Sequence, residues 1–173
     1  MGERSYYACS ATVNEVVSFF LWFSDDRDGV VLNGNQIATF PSRDALAQFC
    51  TDANLKLSDE STVCYDFDNI DAWIRDPNVT SMDINSLLNA WNMMDDFYNS
   101  SLGHNAIADD DLDLHQKLSL SSFTETMPGA IVDENYEPEW TVSDMSRLAA
   151  ILDECTGRFK ASLAHRPTTW FLR

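Results

Sequence analysis

Basic residues are scarce in this chain: 11 Lys and Arg stand against 28 Asp and Glu, for a formal net charge of −17 and a pI near 4.2. Binding nucleic acid or an anionic membrane needs cations that displace counterions from phosphates, so this balance argues against both. It favours a basic partner, whose approach such a field accelerates, although an excess of acid can also serve solubility alone. Glycine is scarce too, with six in all. Neither G-x-x-x-x-G-K-[ST] nor G-x-G-x-x-G occurs, so no nucleotide-phosphate cradle is expected. The four cysteines, at 9, 50, 64 and 155, form no C-x-x-C pair, the spacing of zinc knuckles and dithiol redox motifs. Long apolar runs are missing: VVSFFLWF is far shorter than the roughly 20 residues of a membrane span. The opening MGERSYYACS has no basic stretch followed by an apolar one, so no secretion signal is expected, and thiol cysteines in a reducing cytoplasm are the simplest reading.

Metal and catalytic patterns are also wanting. DFDNIDAWIRDP crowds Asp66, Asp68 and Asp71 together, but an EF-hand begun at Asp66 would put Asp71 where Gly is needed and Pro77 where Glu is needed. Begun at Asp109, the same positions fall on Leu114 and Leu120. His104, His115 and His165 belong to no H-E-x-x-H motif, and no G-x-S-x-G elbow exists. Asp95 and Asp96 are adjacent, yet neighbours on a helix point about 100° apart and do not face one substrate together. No catalytic residue, metal ligand or cofactor is therefore expected. An enzyme with an unrecognised site is the least favoured reading.

What the chain does have is core. Hydrophobic residues make up 45%, with ten Phe, five Trp and five Tyr, each large side chain worth roughly 1.5–3 kcal/mol when buried. A single globular domain over 1–173 is expected, with a looser acidic loop region near 101–140. Thr12 and Glu15 have capping-box spacing, which predicts a central helix over 12–23; a strand over 16–23 competes, because β-branched and aromatic residues dominate there. GVVLNGNQIATFPS predicts a hairpin near 30–40 turning at Asn33-Gly34. Ser42 predicts a helix cap over 43–53, and Thr62–Tyr65 a short strand followed by a turn at 66–69. Further helices are expected around Ile70–Ile74, from Ile84 to Ser100 behind Asp83, near 112–123, and from Thr141 to about Ala164. The fold class is α+β: a small antiparallel sheet packed with several helices, helix-rich in its C-terminal half.

The helix from Ile84 carries Leu87, Leu88, Trp91 and Met94 on one stripe, and Asn85, Asn89, Asn92, Asp96 and Asn99 on another at spacings of 4, 3, 4 and 3. Asn is a mediocre helix former, so a stripe of it costs several tenths of a kcal/mol per residue. Either these side chains tie down neighbouring loops and water, or they form a face that a partner reads. Acids are dense in the same region, with nine between Asp59 and Ser100 against the one base Arg75.

GVVLNGNQIATFPS, VCYDFDNIDAWI and INSLLNAWNMMDDF, in that order, resemble immunity proteins of bacterial contact-dependent inhibition and other polymorphic toxin systems. The likeness covers residues 15 to 100, about half of the chain, and is one of pattern. It implies a cytoplasmic, non-enzymatic inhibitor that binds one cognate toxin tightly, in many cases a nuclease with a basic groove, and it supplies no catalytic residues. The expected contact residues are Asp66, Asp68, Asp71, Asn92, Asp95, Asp96 and Asn99, with Tyr65 and Tyr98 as aromatic anchors; Trp73, Trp91 and Phe97 are expected in the core. The alternative is an acidic nucleic-acid mimic, of the kind phages direct at DNA-binding enzymes.

Overall fold

The computed structural model describes residues 4–104, 111–126 and 138–163. Its first element corrects the reading of the N-terminus. Residues 5–24 form a hairpin of β1 (Ser5–Val13) and β2 (Val16–Ser24), paired from Ser5↔Ser24 to Val13↔Val16, so the competing strand over 16–23 is present and the helix over 12–23 is not. The turn residues Asn14 and Glu15 both take positive φ, 51° and 62°, as a type I′ turn demands. Glu15 is unusual there, and the turn is held from outside: Asp68 accepts the Asn14 N–H at 2.7 Å and the Glu15 N–H at 2.8 Å. Thr12 and Glu15 thus lie at a hairpin end and cap nothing.

After β2 come four two-residue strands: β3 (Gly29–Val30), β4 (Leu32–Asn33), β5 (Gln36–Ile37) and β6 (Thr39–Phe40). The expected hairpin is present, but its turn sits one residue later than read, at Gly34-Asn35. Only Gly34 takes positive φ there (63°), the position where a type II′ turn needs glycine. Both arms also return to β2, pairing Trp22↔Val30 and Phe19↔Phe40. Gly29 is fixed by crowding, since a Cβ would run into the Ser100 hydroxyl and the Phe23 ring. On the other side of β1 lies β7 (Val63–Asp66), parallel, with Cys9↔Val63 and Thr12↔Asp66 in register. The five-stranded sheet, ordered β3-β2-β1-β7 with β6 also on β2, is therefore mixed and not purely antiparallel.

Among the described residues there are five α-helices: α1 (Arg43–Asp52), α2 (Phe67–Arg75), α3 (Ile84–Leu102), α4 (Leu112–Thr126) and α5 (Val142–Ser162). Their starts follow the capping rules. Ser42 accepts the Ala45 N–H, Asp83 the Ser86 N–H, and Thr141 with Asp144 makes a full capping box. Asp66 caps α2 directly, so the turn expected at 66–69 is the first turn of a helix. Of the looser region expected near 101–140, residues 105–110 and 127–137 lie outside the described residues, while α4 runs three residues beyond its expected end at 123.

Strand alternation gives the sheet two covered faces. Tyr6, Ala8, Phe19 and Leu21 pack beneath α1 with Leu46 and Cys50. Cys9, Ala11, Phe20 and Trp22 face the larger core under α2 to α5, where Phe67, Ile70, Trp73, Leu87, Trp91, Phe97, Leu118, Leu148 and Phe159 are buried. None of the described helices is long and apolar enough to cross a membrane.

Candidate functional site

The polar stripe of α3 is set against the sheet by specific bonds. Val30 N–H donates to Ser100 Oγ at 2.9 Å, and Ser100 Oγ donates to the Asp96 carbonyl at 2.9 Å, pinning the end of α3 to β3. One turn earlier Trp22 Nε1 donates to Asp96 Oδ2 at 2.7 Å. Further along, the helix stands off the sheet and leaves a cleft of about 690 Å³. The β1, β2 and β7 side supplies Tyr7, Cys9, Trp22, Val63 and Tyr65; α3 supplies Asn89, Asn92, Met93, Asp95 and Asp96; Asp28 and Glu60 stand on the flanking loops. Among the described residues, four carboxylates and three aromatic rings line it, and no Lys or Arg does. Tyr7 and Trp22 lie against each other, centroids 5.1 Å apart and tilted 54°. A second groove of about 530 Å³ adjoins it, sharing Tyr7 and Glu60 and adding Asp59 and Lys56.

The electrostatics of the cleft follow from burial. Partial burial raises the Asp96 carboxyl above the ordinary carboxylate range, the Trp22 N–H pulls it back, and Asp28 adds a further push upward. Cys9, on the cleft floor and 2% exposed, is pushed up to about 12 by burial, with Cys64 and Asp96 adding to the rise. It is a neutral thiol near pH 7 and no nucleophile. Burial likewise raises the Tyr65 hydroxyl, which stays neutral. The cleft thus offers negative charge, flat rings and neutral hydroxyls, the complement of a guanidinium or ammonium group.

A group whose folded pKa is raised favours the protonated state on folding. Asp96 therefore contributes a destabilisation that is absent below the unfolded carboxylate pKa and develops as pH rises from there through the folded one. Asp96→Asn is expected to keep an acceptor for Trp22 and to raise the melting midpoint at pH 7. That gain should shrink toward zero as melts are repeated down to about pH 3, and an unchanged gain would show that the charge is not its source.

Of the nine expected contact residues, Tyr65, Asn92, Asp95 and Asp96 meet in this cleft. The others have different surroundings. Asp66 caps α2, holding Asn69 through both its N–H and its Nδ2, and lines a separate pocket of about 440 Å³ floored by Trp73 and Leu87. Asp68 holds the β1–β2 turn, and Asp71 takes both oxygens to Lys160 Nζ at 2.7 Å. Tyr98 is 4% exposed and lies against Phe97, which turns its ring inward and away from any partner. Asn99 is half-buried near the end of α3, where its carbonyl accepts the Gly103 N–H. The stripe itself divides: Asn85 accepts from Ser122 at 2.6 Å, Asn92 Oδ1 lies 2.9 Å from His115 Nε2, and Asn89 is exposed.

Sequence reasoning missed Tyr7, Trp22, Asp28, Glu60 and Asn89 as parts of one site. With Trp22 on a helix, nothing placed it beside Asp96; alternation along a 5–24 hairpin would have put Tyr7, Cys9, Phe20 and Trp22 on one face. Among the described residues no group of three or more His, Cys, Asp or Glu is placed to hold a metal ion. No protein-family model, no curated protein and no solved structure matches the chain.

Proposed function

We propose that this chain is a protein-binding inhibitor that receives a basic protein surface in the cleft between α3 and the sheet. Within that class, the reading that fits best is an immunity protein: a non-enzymatic, cytoplasmic neutraliser of one cognate toxin, of the nuclease type with a basic groove. The observation that carries it is the cleft lining, which brings together Asp28, Glu60, Asp95 and Asp96 with Tyr7, Trp22 and Tyr65 and, among the described residues, includes no base. Aromatic anchors beside desolvated charge are what interface hot spots use. A nucleic-acid mimic would present its acids along an outward ridge at phosphate-like spacing, whereas these four converge on a concavity.

The test is co-expression with the product of the gene directly upstream, which this reading requires to be a basic protein, followed by size-exclusion chromatography and titration calorimetry. A 1:1 complex is expected, weakening steeply between about 0.05 M and about 0.5 M salt as screening shortens the range of the field. Growth should be restored in cells making that protein. A monomer without salt-sensitive affinity for it would overturn the reading, and competition by duplex DNA for several unrelated basic enzymes would replace it with mimicry.

A further inference from the structure

The strand that forms one wall of the cleft is also an open edge of the sheet. β7 has β1 on one side and no strand on the other among the described residues. The direction of its free groups follows from β1. Tyr6 donates its N–H to the Lys56 carbonyl and accepts the Ser58 N–H, so its main chain points toward the β7 side. By two-residue alternation Ser10 points the same way, and Ser10 stands opposite Cys64. In a parallel ladder such a residue bonds the two neighbours of the residue opposite, here Val63 and Tyr65. The N–H and C=O of Cys64 therefore face outward, on a strand whose Val63 is 45% exposed and whose Cys64 and Asp66 are exposed.

Open edges invite pairing, and charge decides with what. Asp59, Glu60, Asp66 and Asp68 flank this strand on a chain of net charge −17, so a second copy laid along it would set acid against acid. A basic strand meets the opposite situation. We infer that the toxin partner docks as an extended basic segment added to the outer edge of β7, with every second side chain lying over the cleft. Residues on the Val63 and Tyr65 side of that segment would reach Glu60, Asp95 and Asp96, which calls for Arg or Lys at alternate positions. Main-chain bonds to Cys64 supply affinity and the acidic cleft supplies selection, the division of labour in strand addition. This rests on the toxin-binding reading above and specifies how that binding is made.

The probe is the product of the gene directly upstream, expected to be basic, and the readouts are amide hydrogen exchange at Cys64 and the affinity of edge variants. Exchange at Cys64 is expected to slow at least about tenfold in the complex, because a solvent-facing N–H becomes a ladder bond. Cys64→Pro removes that donor without touching a bond to β1. It is expected to weaken binding at least about tenfold, while Cys64→Ser, which keeps the N–H, binds as the parent does. Melting of Cys64→Pro checks its fold, and the exchange measurement needs no variant. A complex that forms with Cys64 exchange unchanged would overturn strand addition and leave the toxin-binding reading standing. Failure to form any complex would overturn that reading and this inference together.

Discussion

Phe159→Ala is expected to lower the unfolding free energy by about 3–5 kcal/mol, the range for removing a fully buried phenylalanine. The ring is 0% exposed and stands at the junction of the larger core. Its centroid lies 5.7 Å from Phe20 on β2, 5.2 Å from Phe67 on α2 and 5.4 Å from Phe97 on α3, the Phe20 and Phe97 contacts being edge-on. Such pairs add about 0.5–1.5 kcal/mol each beyond area burial. One ring on α5 thus joins the sheet to two other helices, and its loss leaves a cavity that three elements would have to move together to close. With domains stable by about 5–15 kcal/mol, the loss is a large share of the total. Urea unfolding followed by fluorescence should show the midpoint falling with the slope unchanged. Phe159→Leu, closer in volume, should cost much less, and equal losses from the two would mean that ring contacts, and not filled volume, carry the effect.

How much of this was legible beforehand depended on whether the signal was local. Helix starts are local, and Ser42, Asp83 and the Thr141/Asp144 pair marked α1, α3 and α5 because a side chain three residues from a backbone N–H needs no tertiary partner. The apolar stripe Leu87, Trp91 and Met94 is buried as its period implied, and Trp73 and Phe97 are core as expected. The β1–β2 hairpin was hidden because its turn is Asn14-Glu15 in place of Asn-Gly. What permits it is Asp68, more than fifty residues away, accepting both turn N–H groups. The same distance hid the roles of the acids. In sequence, Asp66, Asp68, Asp71 and Asp96 are alike; in the fold they are a helix cap, a turn clamp, an ion-pair partner and a cleft wall. Acid density marked a region but could not divide it, because division is made by residues such as Trp22, Lys160 and Asn14 that only the tertiary structure brings near.

The division can be tested by reversing the same number of charges at two different places. Asp28→Lys, Glu60→Lys and Asp95→Lys together reverse three cleft carboxylates, and Asp52→Lys, Asp113→Lys and Asp153→Lys reverse three exposed acids elsewhere, shifting the net charge equally. If acidity acts only as a long-range field, the two triple variants should lose similar amounts of affinity for the basic partner, through slower association. If the cleft is the binding site, reversal there replaces close attraction with close repulsion. Pairs of this kind couple by about 1.5–7 kcal/mol. Allowing for the exposure of Asp28 and Glu60 and for salt screening, the cleft variant is expected to bind about 10²–10⁴ times more weakly at about 0.1 M salt, and the control variant within about threefold to tenfold of the parent. Salt should separate them as well. Rising ionic strength weakens the parent and the control but strengthens the residual binding of the cleft variant, because there it screens repulsion. Neither set should unfold the protein, since the reversed side chains are exposed apart from Asp95, which is half-buried. Equal losses from the two variants in calorimetry, with melting midpoints unchanged, would place recognition outside the cleft.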